Sequence, residues 1–160
     1  MANDNLSGGA GNDTLIGGEG DDVLGGGSGS DGALGEAGND RFLGDAGRDR
    51  LDGGVGIDTV SYGASRRGVE VNLRQGRGKG GDANGDRLIS IENLEGSRRD
   101  DKLVGNRGNN RLSGGAGKDL LDGSIGADWL NGGAGADQLL GGNGVDTASY
   151  ITSRRRSSLA

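Results

Sequence analysis

The feature that most constrains this chain is an aspartate that recurs every nine residues and closes a glycine-rich hexad. The hexads of the N-terminal part read GGAGND (8–13), GGEGDD (17–22), GGSGSD (26–31), GEAGND (35–40), GDAGRD (44–49) and GGVGID (53–58). The same nine-residue period returns after residue 95, so that twelve of the 19 Asp occupy one position of the repeat. A strict nine-residue period is typical of nonapeptide solenoids. The sequence therefore predicts a stacked all-β solenoid.

The composition indicates that such a fold needs an external stabiliser. Of 160 residues, 39 are Gly, 30% are apolar and 2% are aromatic, which is too little apolar surface for an ordinary core. The chain has no Cys and no His, so it has no disulfides and lacks the ligands of soft transition metals. The same absences exclude Ser-His and Cys-His nucleophiles, and we expect the chain not to be an enzyme. A bound hard cation is the expected stabiliser.

Each repeat divides into a turn and a very short strand, which we number as slots 1 to 9. The glycines at slots 1, 2 and 4 allow positive φ and a tight turn that presents backbone carbonyls on one side, and the slot-6 Asp adds a carboxylate. Slots 7–9 form the strand, with the slot-8 side chain pointing inward. The slot-8 residues are Leu6, Leu15, Leu24, Ala33, Phe42, Leu51, Val60, Leu103, Leu112, Leu121, Leu130, Leu139 and Ala148.

Two nonapeptides make one turn of 18 residues, which stacks each loop about 4.8 Å from the loop two repeats away. Carboxylates stacked at that spacing repel each other by roughly 1–4 kcal/mol per pair. A hard dication surrounded by carboxylate and carbonyl oxygens turns this repulsion into attraction. Flexible ligation by six to eight oxygens favours Ca²⁺ over Mg²⁺.

The pattern G-G-x-G-x-D-x-U-x, in which U is a large apolar residue, resembles the RTX (repeats-in-toxin) or haemolysin-type calcium-binding repeat. The resemblance covers about 7–61 and 96–149. It implies a right-handed parallel β-roll (a β-solenoid) with two nonapeptide repeats per turn. It also implies about six to nine Ca²⁺ ions, each held between loops two hexads apart by both slot-6 aspartates and by backbone carbonyls.

Carried over to this sequence, the resemblance implies the following ligands. The carboxylate ligands are Asp13, Asp22, Asp31, Asp40, Asp49, Asp58, Asp119, Asp128, Asp137 and Asp146, paired as 13/31, 22/40, 31/49, 40/58, 119/137 and 128/146. Weaker sites are expected at Asp4, Asp101 and Asn110, and Asp86 is left open as a degenerate slot-6 residue. The backbone carbonyl ligands are Gly8, Ala10, Gly17, Glu19, Gly26, Gly27, Ser28, Gly29, Gly35, Glu36, Ala37, Gly38, Asp45, Gly47, Gly54, Gly56, Gly114, Ala116, Gly123, Ile125, Gly133, Gly135, Gly142 and Gly144.

The domain organisation follows the hexads. We expect a first calcium-binding array at 1–61, an inter-array segment at 62–95, a second array at 96–149 and a mobile tail at 150–160. The inter-array segment has two β-like runs, at 69–73 and 88–91, which we interpret as extra roll turns joined by an exposed loop at 74–86. Residues 62–99 also carry eight basic side chains, Arg66, Arg67, Arg74, Arg77, Lys79, Arg87, Arg98 and Arg99.

These patterns support two functional hypotheses. The first is a calcium-binding module of a secreted bacterial protein, extracellular or on the cell surface, that folds on Ca²⁺ binding outside the cell and belongs to a larger parent chain. The alternative is an accessory module of an extracellular enzyme or adhesin, whose basic cluster binds an anionic polysaccharide or lipopolysaccharide. We expect no nucleic-acid partner, because the net charge is −6 and a set of stacking aromatic residues is lacking. We also expect no membrane span, because no apolar run is long enough.

Overall fold

A computed structural model describes residues 2–150 of the chain. It contains seventeen short strands and a single turn of 3₁₀ helix at Gly81–Ala83. The strands are β1 Asn5–Ala10, β2 Thr14–Glu19, β3 Val23–Ser28, β4 Gly32–Ala37, β5 Arg41–Leu43, β6 Arg50–Val55, β7 Thr59–Ser61, β8 Glu70–Asn72, β9 Arg77–Lys79, β10 Arg87–Ile89, β11 Asn93–Glu95, β12 Lys102–Val104, β13 Arg111–Ala116, β14 Leu120–Asp122, β15 Trp129–Ala134, β16 Gln138–Leu140 and β17 Thr147–Ser149.

The strands form two sheets, and outside residues 62–92 the chain alternates between them. One sheet has the order β1-β3-β5-β7-β11-β13-β15-β17, and the other has the order β16-β14-β12-β8-β9-β10-β6-β4-β2. Neighbouring strands of the arrays are parallel and pair residues 18 apart, such as Leu6 with Leu24 and Leu15 with Ala33. The predicted all-β parallel solenoid with two nonapeptides per turn is confirmed.

The core lies between the two sheets and receives inward side chains from both. It consists largely of the slot-8 residues, and Leu24, Phe42 and Leu112 are each at most 1% exposed. Leu6 and Leu139, near the two ends of the core, are partly buried, and Ala148 on β17 is exposed because no further turn within residues 2–150 covers it. The inward direction of slot 8 is thus confirmed wherever a turn lies on both sides. None of the helices within residues 2–150 has the length and apolarity needed to cross a membrane.

The inter-array segment departs from the roll by running backward along one sheet. After β7 the chain enters β8, which pairs in parallel with β12 of the second array. It then folds into β9, which is antiparallel to both of its neighbours, and β10, which pairs in parallel with β6 of the first array. The interpretation of 74–86 as an exposed loop was therefore wrong in part, since this stretch contains β9 and buries Ala83 and Asp86. The tail expected at 150–160 lies outside the described residues, apart from Tyr150.

Candidate metal sites

The slot-6 side chains form two ladders, one on each side of the roll. The backbone N–H of each slot-6 residue donates to Oδ1 of the slot-6 Asp two hexads later, at 2.8 Å from Asp13 to Asp31 and from Asp22 to Asp40. The remaining regular steps are Asp4 to Asp22, Asp31 to Asp49, Asp40 to Asp58, Asp101 to Asp119, Asn110 to Asp128, Asp119 to Asp137 and Asp128 to Asp146. This bond fixes each carboxylate and leaves its other oxygen, Oδ2, free for a second ligand.

Among residues 2–150, seven of these Oδ2 atoms are buried and have no hydrogen-bond partner. A buried unpaired polar atom costs about 1–3 kcal/mol, and more when the group is charged, so native structures contain few of them. Such a set on one repeating position indicates a ligand that is shared by the whole ladder. The seven atoms belong to Asp13, Asp22, Asp31, Asp40, Asp58, Asp119 and Asp128.

The slot-1 glycine shows where each free oxygen points. A Cβ placed on Gly123 would lie 2.5 Å from Asp128 Oδ2 and 2.6 Å from the carbonyl oxygen of Gly141, the slot-1 residue two hexads later. Real Cβ atoms make no contacts as short as these, so only glycine fits at this slot. At Gly8 the same two separations, to Asp13 Oδ2 and to the Gly26 carbonyl, are 2.6 and 2.7 Å. The carboxylate and the carbonyl thus converge on one small cradle that a side chain would fill.

Slot 1 therefore requires glycine for a steric reason, and the positive φ that glycine allows is not adopted at this slot. The left-handed backbone occurs at slots 2 and 4, as at Gly9 (φ 98°) and Gly11 (φ 120°), while the slot-1 glycines are absent from that region. Glu36 at slot 2 keeps the turn at φ 74°, whereas Asp45 at the same slot does not adopt it. The Asp45 carboxylate instead accepts a hydrogen bond of 3.1 Å from the N–H of Gly27.

Each of the six aspartate pairs predicted at full strength contains one free Oδ2 on its first member. Asp13, Asp22, Asp31 and Asp40 supply it in the first array, and Asp119 and Asp128 supply it in the second. Their later partners Asp137 and Asp146 are half-buried, and within residues 2–150 no further loop stacks on them. The structure thus brings the predicted carboxylates together in the predicted pairs.

The loops expected to be weaker are closed by protein groups. Asp101 Oδ2 accepts a hydrogen bond of 2.6 Å from the N–H of Ser97 and another of 3.1 Å from its hydroxyl. Asn110 Oδ1 accepts from the N–H of Asn106 at 2.8 Å, and its Nδ2 donates to the carbonyl of Glu92. The Asn110 side-chain amide thus satisfies the stacked carbonyl with a hydrogen bond, where the aspartate loops would need a cation. Asp4, in the first loop, is exposed.

Burial changes the acidity of several of these carboxylates. Removal from water raises the pKa of Asp58 and of Asp119 to about 6, against 3.8 in water, and neighbouring carboxylates, Glu92 among them for Asp58, add to the rise. Burial likewise raises the pKa values of Asp40, Asp49 and Asp128. A raised pKa indicates that the charged form is poorly compensated by the protein. A cation in the cradle would supply the missing compensation.

The remaining oxygens of the cradles come from the backbone. No three carboxylate, imidazole or thiol groups of residues 2–150 converge on one point, so a site here combines carboxylates with carbonyls. Several predicted slot-3 carbonyls, such as those of Ser28 and Ala37, already accept a hydrogen bond from a backbone N–H of the stacked loop two hexads earlier. A carbonyl has two lone pairs, so this bond leaves room for a cation. An all-oxygen set of this kind fits Ca²⁺.

Two acidic residues of the inter-array segment also take ladder positions. Asp86 Oδ1 accepts from the N–H of Asp49 at 3.0 Å, which places Asp86 at slot 6, and its Oδ2 accepts from the hydroxyl of Tyr62 at 2.9 Å. Burial raises the pKa of Asp86 to about 7 and that of Tyr62 well above its usual range. Glu92 occupies the equivalent position beside Asp58, and our sequence analysis missed it. The signal was an acidic residue two positions before an inward leucine, Leu94.

The eight basic side chains of residues 62–99 all lie on the surface. The salt bridges within residues 2–150 pair other cations, namely Arg41 with Glu95, Arg50 with Asp52 and Lys102 with Glu70. The basic cluster is thus exposed and makes no ion pair in the described part of the chain.

Comparison with known families agrees with this geometry. Four copies of the RTX calcium-binding nonapeptide repeat match the chain, at residues 2–33, 33–60, 95–130 and 117–148. Together they cover both arrays and leave out the inter-array segment. A search of curated proteins found no match.

Proposed function

The chain belongs to the RTX family of calcium-binding repeat proteins, and from this premise we propose that it is a secretion-coupled folding module. It would stay unfolded where calcium is scarce and fold into the β-roll where calcium is abundant. The observation that carries this proposal is the row of seven buried carboxylate oxygens without a hydrogen-bond partner.

Those oxygens make the metal-free roll costly. Each is held beside a backbone carbonyl, and both groups present negative charge density to the same cradle. The apolar core receives about one inward side chain per nonapeptide, so hydrophobic burial offers little compensation. Each filled site adds about 2.7 kcal/mol at a hundredfold excess of calcium over its Kd. Six such sites together contribute on the order of 10 kcal/mol, which is the stability of a typical domain.

The proposed dependence of folding on calcium also supports a location outside the cell. Extracellular calcium modules bind with Kd values of roughly 10⁻⁴–10⁻³ M. Sites of that affinity remain empty in a low-calcium cytosol and fill at millimolar calcium outside. We therefore propose that the chain is exported unfolded, by type I secretion as the family resemblance implies, and folds outside the cell or at its surface as part of a larger protein. We propose that this module has no catalytic activity of its own.

Circular dichroism in EGTA and then at about 10 mM Ca²⁺ tests the proposal, with Mg²⁺ at the same concentration as the ionic-strength control. We expect β-roll signal only with Ca²⁺, together with a fall in hydrodynamic radius. A folded roll in EGTA, or equal folding with Mg²⁺, would overturn it.

A second candidate function is favoured by the exposed, unpaired basic cluster of residues 62–99. In this alternative the folded module binds an anionic polysaccharide or lipopolysaccharide. Titration of the calcium-loaded chain with alginate, with neutral dextran as control, tests it. Binding that is lost when Arg66, Arg67, Arg98 and Arg99 are changed to Ser would support the alternative, and the absence of binding would exclude it for alginate.

A further inference from the structure

The first array ends at a loop that has only half the length of its neighbours. Six residues, 53–58, separate Asp52 from Thr59, whereas only three, 90–92, separate their pairing partners Ile89 and Asn93. The pairing of Asp52 with Ile89 and of Thr59 with Asn93 fixes this correspondence. Ser90 thus lies at slot 1 and Glu92 at slot 6. Neither residue belongs to a hexad or to the segments that match the RTX repeat.

The shortened loop nevertheless reproduces the cradle. The Glu92 carboxylate accepts a hydrogen bond of 2.8 Å from the N–H of Asp58 through Oε2, as Oδ1 of a slot-6 Asp does elsewhere. Asp58 is fully buried, and its Oδ2 has no partner. A Cβ placed on Gly53 would contact both this oxygen and the carbonyl oxygen of Ser90, so the two oxygens converge as they do at Gly123.

Ser90 has a left-handed backbone conformation, which helps to place its carbonyl beside the Asp58 carboxylate. Ser90 is one of three non-glycine residues with positive φ within residues 2–150, at 49°. That conformation is unfavourable for an L-residue and persists where the surrounding structure determines it. Here it turns the chain out of β10 at the residue whose carbonyl meets the Asp58 carboxylate.

We propose that Asp58, Glu92 and the Ser90 carbonyl form an additional site for a divalent cation, calcium in the first instance, at the seam between the two arrays. The proposal deepens the function proposed above, because it rests on calcium binding by the neighbouring hexads. The ion joins the last loop of the first array to the inter-array segment. Asp58 then contributes to two ions, one shared with Asp40 and one with Glu92.

The seam site differs from the hexad sites in its openness. The short loop replaces slots 2–5 by Ile91 alone, which removes carbonyl ligands, so more of the coordination shell is water. Glu92 also lines a surface groove of about 650 Å³ together with Arg74 and Arg107. The two arginine charges lower the affinity for a cation, so this site fills after the hexad sites.

Calcium stoichiometry tests the proposal. Glu92→Gln removes the charge and keeps a side-chain oxygen that can accept the Asp58 N–H. Glu70→Gln is the matched control, because Glu70 is exposed and its one ion pair is with Lys102, away from the seam. Equilibrium dialysis at saturating calcium is expected to give one ion fewer for Glu92→Gln than for the wild type, and an unchanged number for Glu70→Gln. An unchanged number for folded Glu92→Gln would overturn the seam site while leaving hexad binding intact.

A measurement on the wild type does not depend on the stability of any variant. Crystals soaked with Tb³⁺ in place of Ca²⁺ are expected to show an anomalous peak between Asp58 Oδ2 and the Ser90 carbonyl, as well as peaks in the hexads. Peaks in the hexads without one at the seam would refute the additional site. A chain without any peak, and without bound calcium in dialysis, would refute the proposed function as well.

Discussion

Replacing a slot-1 glycine by alanine is the smallest change that should remove one ion. In Gly123→Ala the new methyl carbon would lie 2.5 Å from Asp128 Oδ2 and 2.6 Å from the Gly141 carbonyl, in the space that the cation needs. The carbonyl belongs to the backbone of a stacked loop and cannot turn away. The methyl group and the ion therefore exclude each other.

The magnitude has two parts. Inserting a methyl group into a packed position costs about 1–3 kcal/mol. Losing one ion removes about 2.7 kcal/mol more at a hundredfold excess of calcium over Kd. The free energy of unfolding in calcium should thus fall by about 4–6 kcal/mol, a large share of a domain's stability. Gly32→Ala is the matched control, because its Cβ would meet no atom within 4 Å and its φ is not positive.

Urea denaturation at saturating calcium, combined with calcium counting by dialysis, measures both parts. Gly32→Ala should keep the wild-type ion count and stability within about 1 kcal/mol. Gly123→Ala should bind one ion fewer. If the two alanine variants have the same stability, or if Gly123→Ala retains every ion, the steric account of slot 1 is wrong.

Three further outcomes follow from the ladders. Asp31→Ala should raise the calcium midpoint of folding more than Asp13→Ala, because Asp31 faces a loop on both sides; equal midpoints by circular dichroism would contradict the pairing. Tyr62→Phe should lower the free energy of unfolding by about 1–3 kcal/mol with an unchanged calcium count, since it leaves Asp86 Oδ2 unpaired; an unchanged urea midpoint would contradict this. Because burial raises the pKa of Asp119 to about 6, the folded state binds a proton there that the unfolded state releases above about 4. In calcium-free buffer the equilibrium between the unfolded chain and the metal-free roll should therefore shift toward the roll as the pH falls from 7 to about 4, and a shift toward the unfolded chain by circular dichroism would contradict this.

The periodic parts of the fold and of the site were predictable because a given slot has the same structural role in every repeat. Leu112 and Asp119 could be assigned from their phase alone, one to the core and one to the ladder. The task of the slot-1 glycine was not predictable, since a glycine needed for its missing Cβ looks the same in sequence as one needed for positive φ. Only the stacked carbonyl distinguishes the two.

The inter-array segment was the least predictable part, and the reason is also physical. Glu92 accepts a hydrogen bond from Asp58, 34 residues earlier, and Asp86 accepts one from Asp49, 37 residues earlier. In both cases the antiparallel strand β9 lies between the two partners along the chain. No local period encodes such a pairing. The spacing of an acidic residue two positions before an inward leucine survives in both cases, at Leu88 and Leu94, and it is the one local trace of the roll that this segment keeps.

Some stacked loops of the roll are closed by protein hydrogen-bond donors, and others keep free carboxylate oxygens for a cation. The positions of these two kinds of loop predict the order in which parts of the roll unfold when calcium is removed. In the middle of the chain protein donors close the loops, from the Tyr62 hydroxyl on Asp86 to the Ser97 groups on Asp101. The free carboxylate oxygens lie at 13–58 and 119–128, on either side of this middle part. As free calcium is lowered, we therefore expect the amides of both flanks to lose hydrogen-exchange protection at a higher calcium concentration than those of β8 and β12. The reason is that a loop closed by protein donors has no free oxygen for calcium to compensate. Loss of protection in β8 and β12 before the flanks would show that the protein donors do not replace the ion.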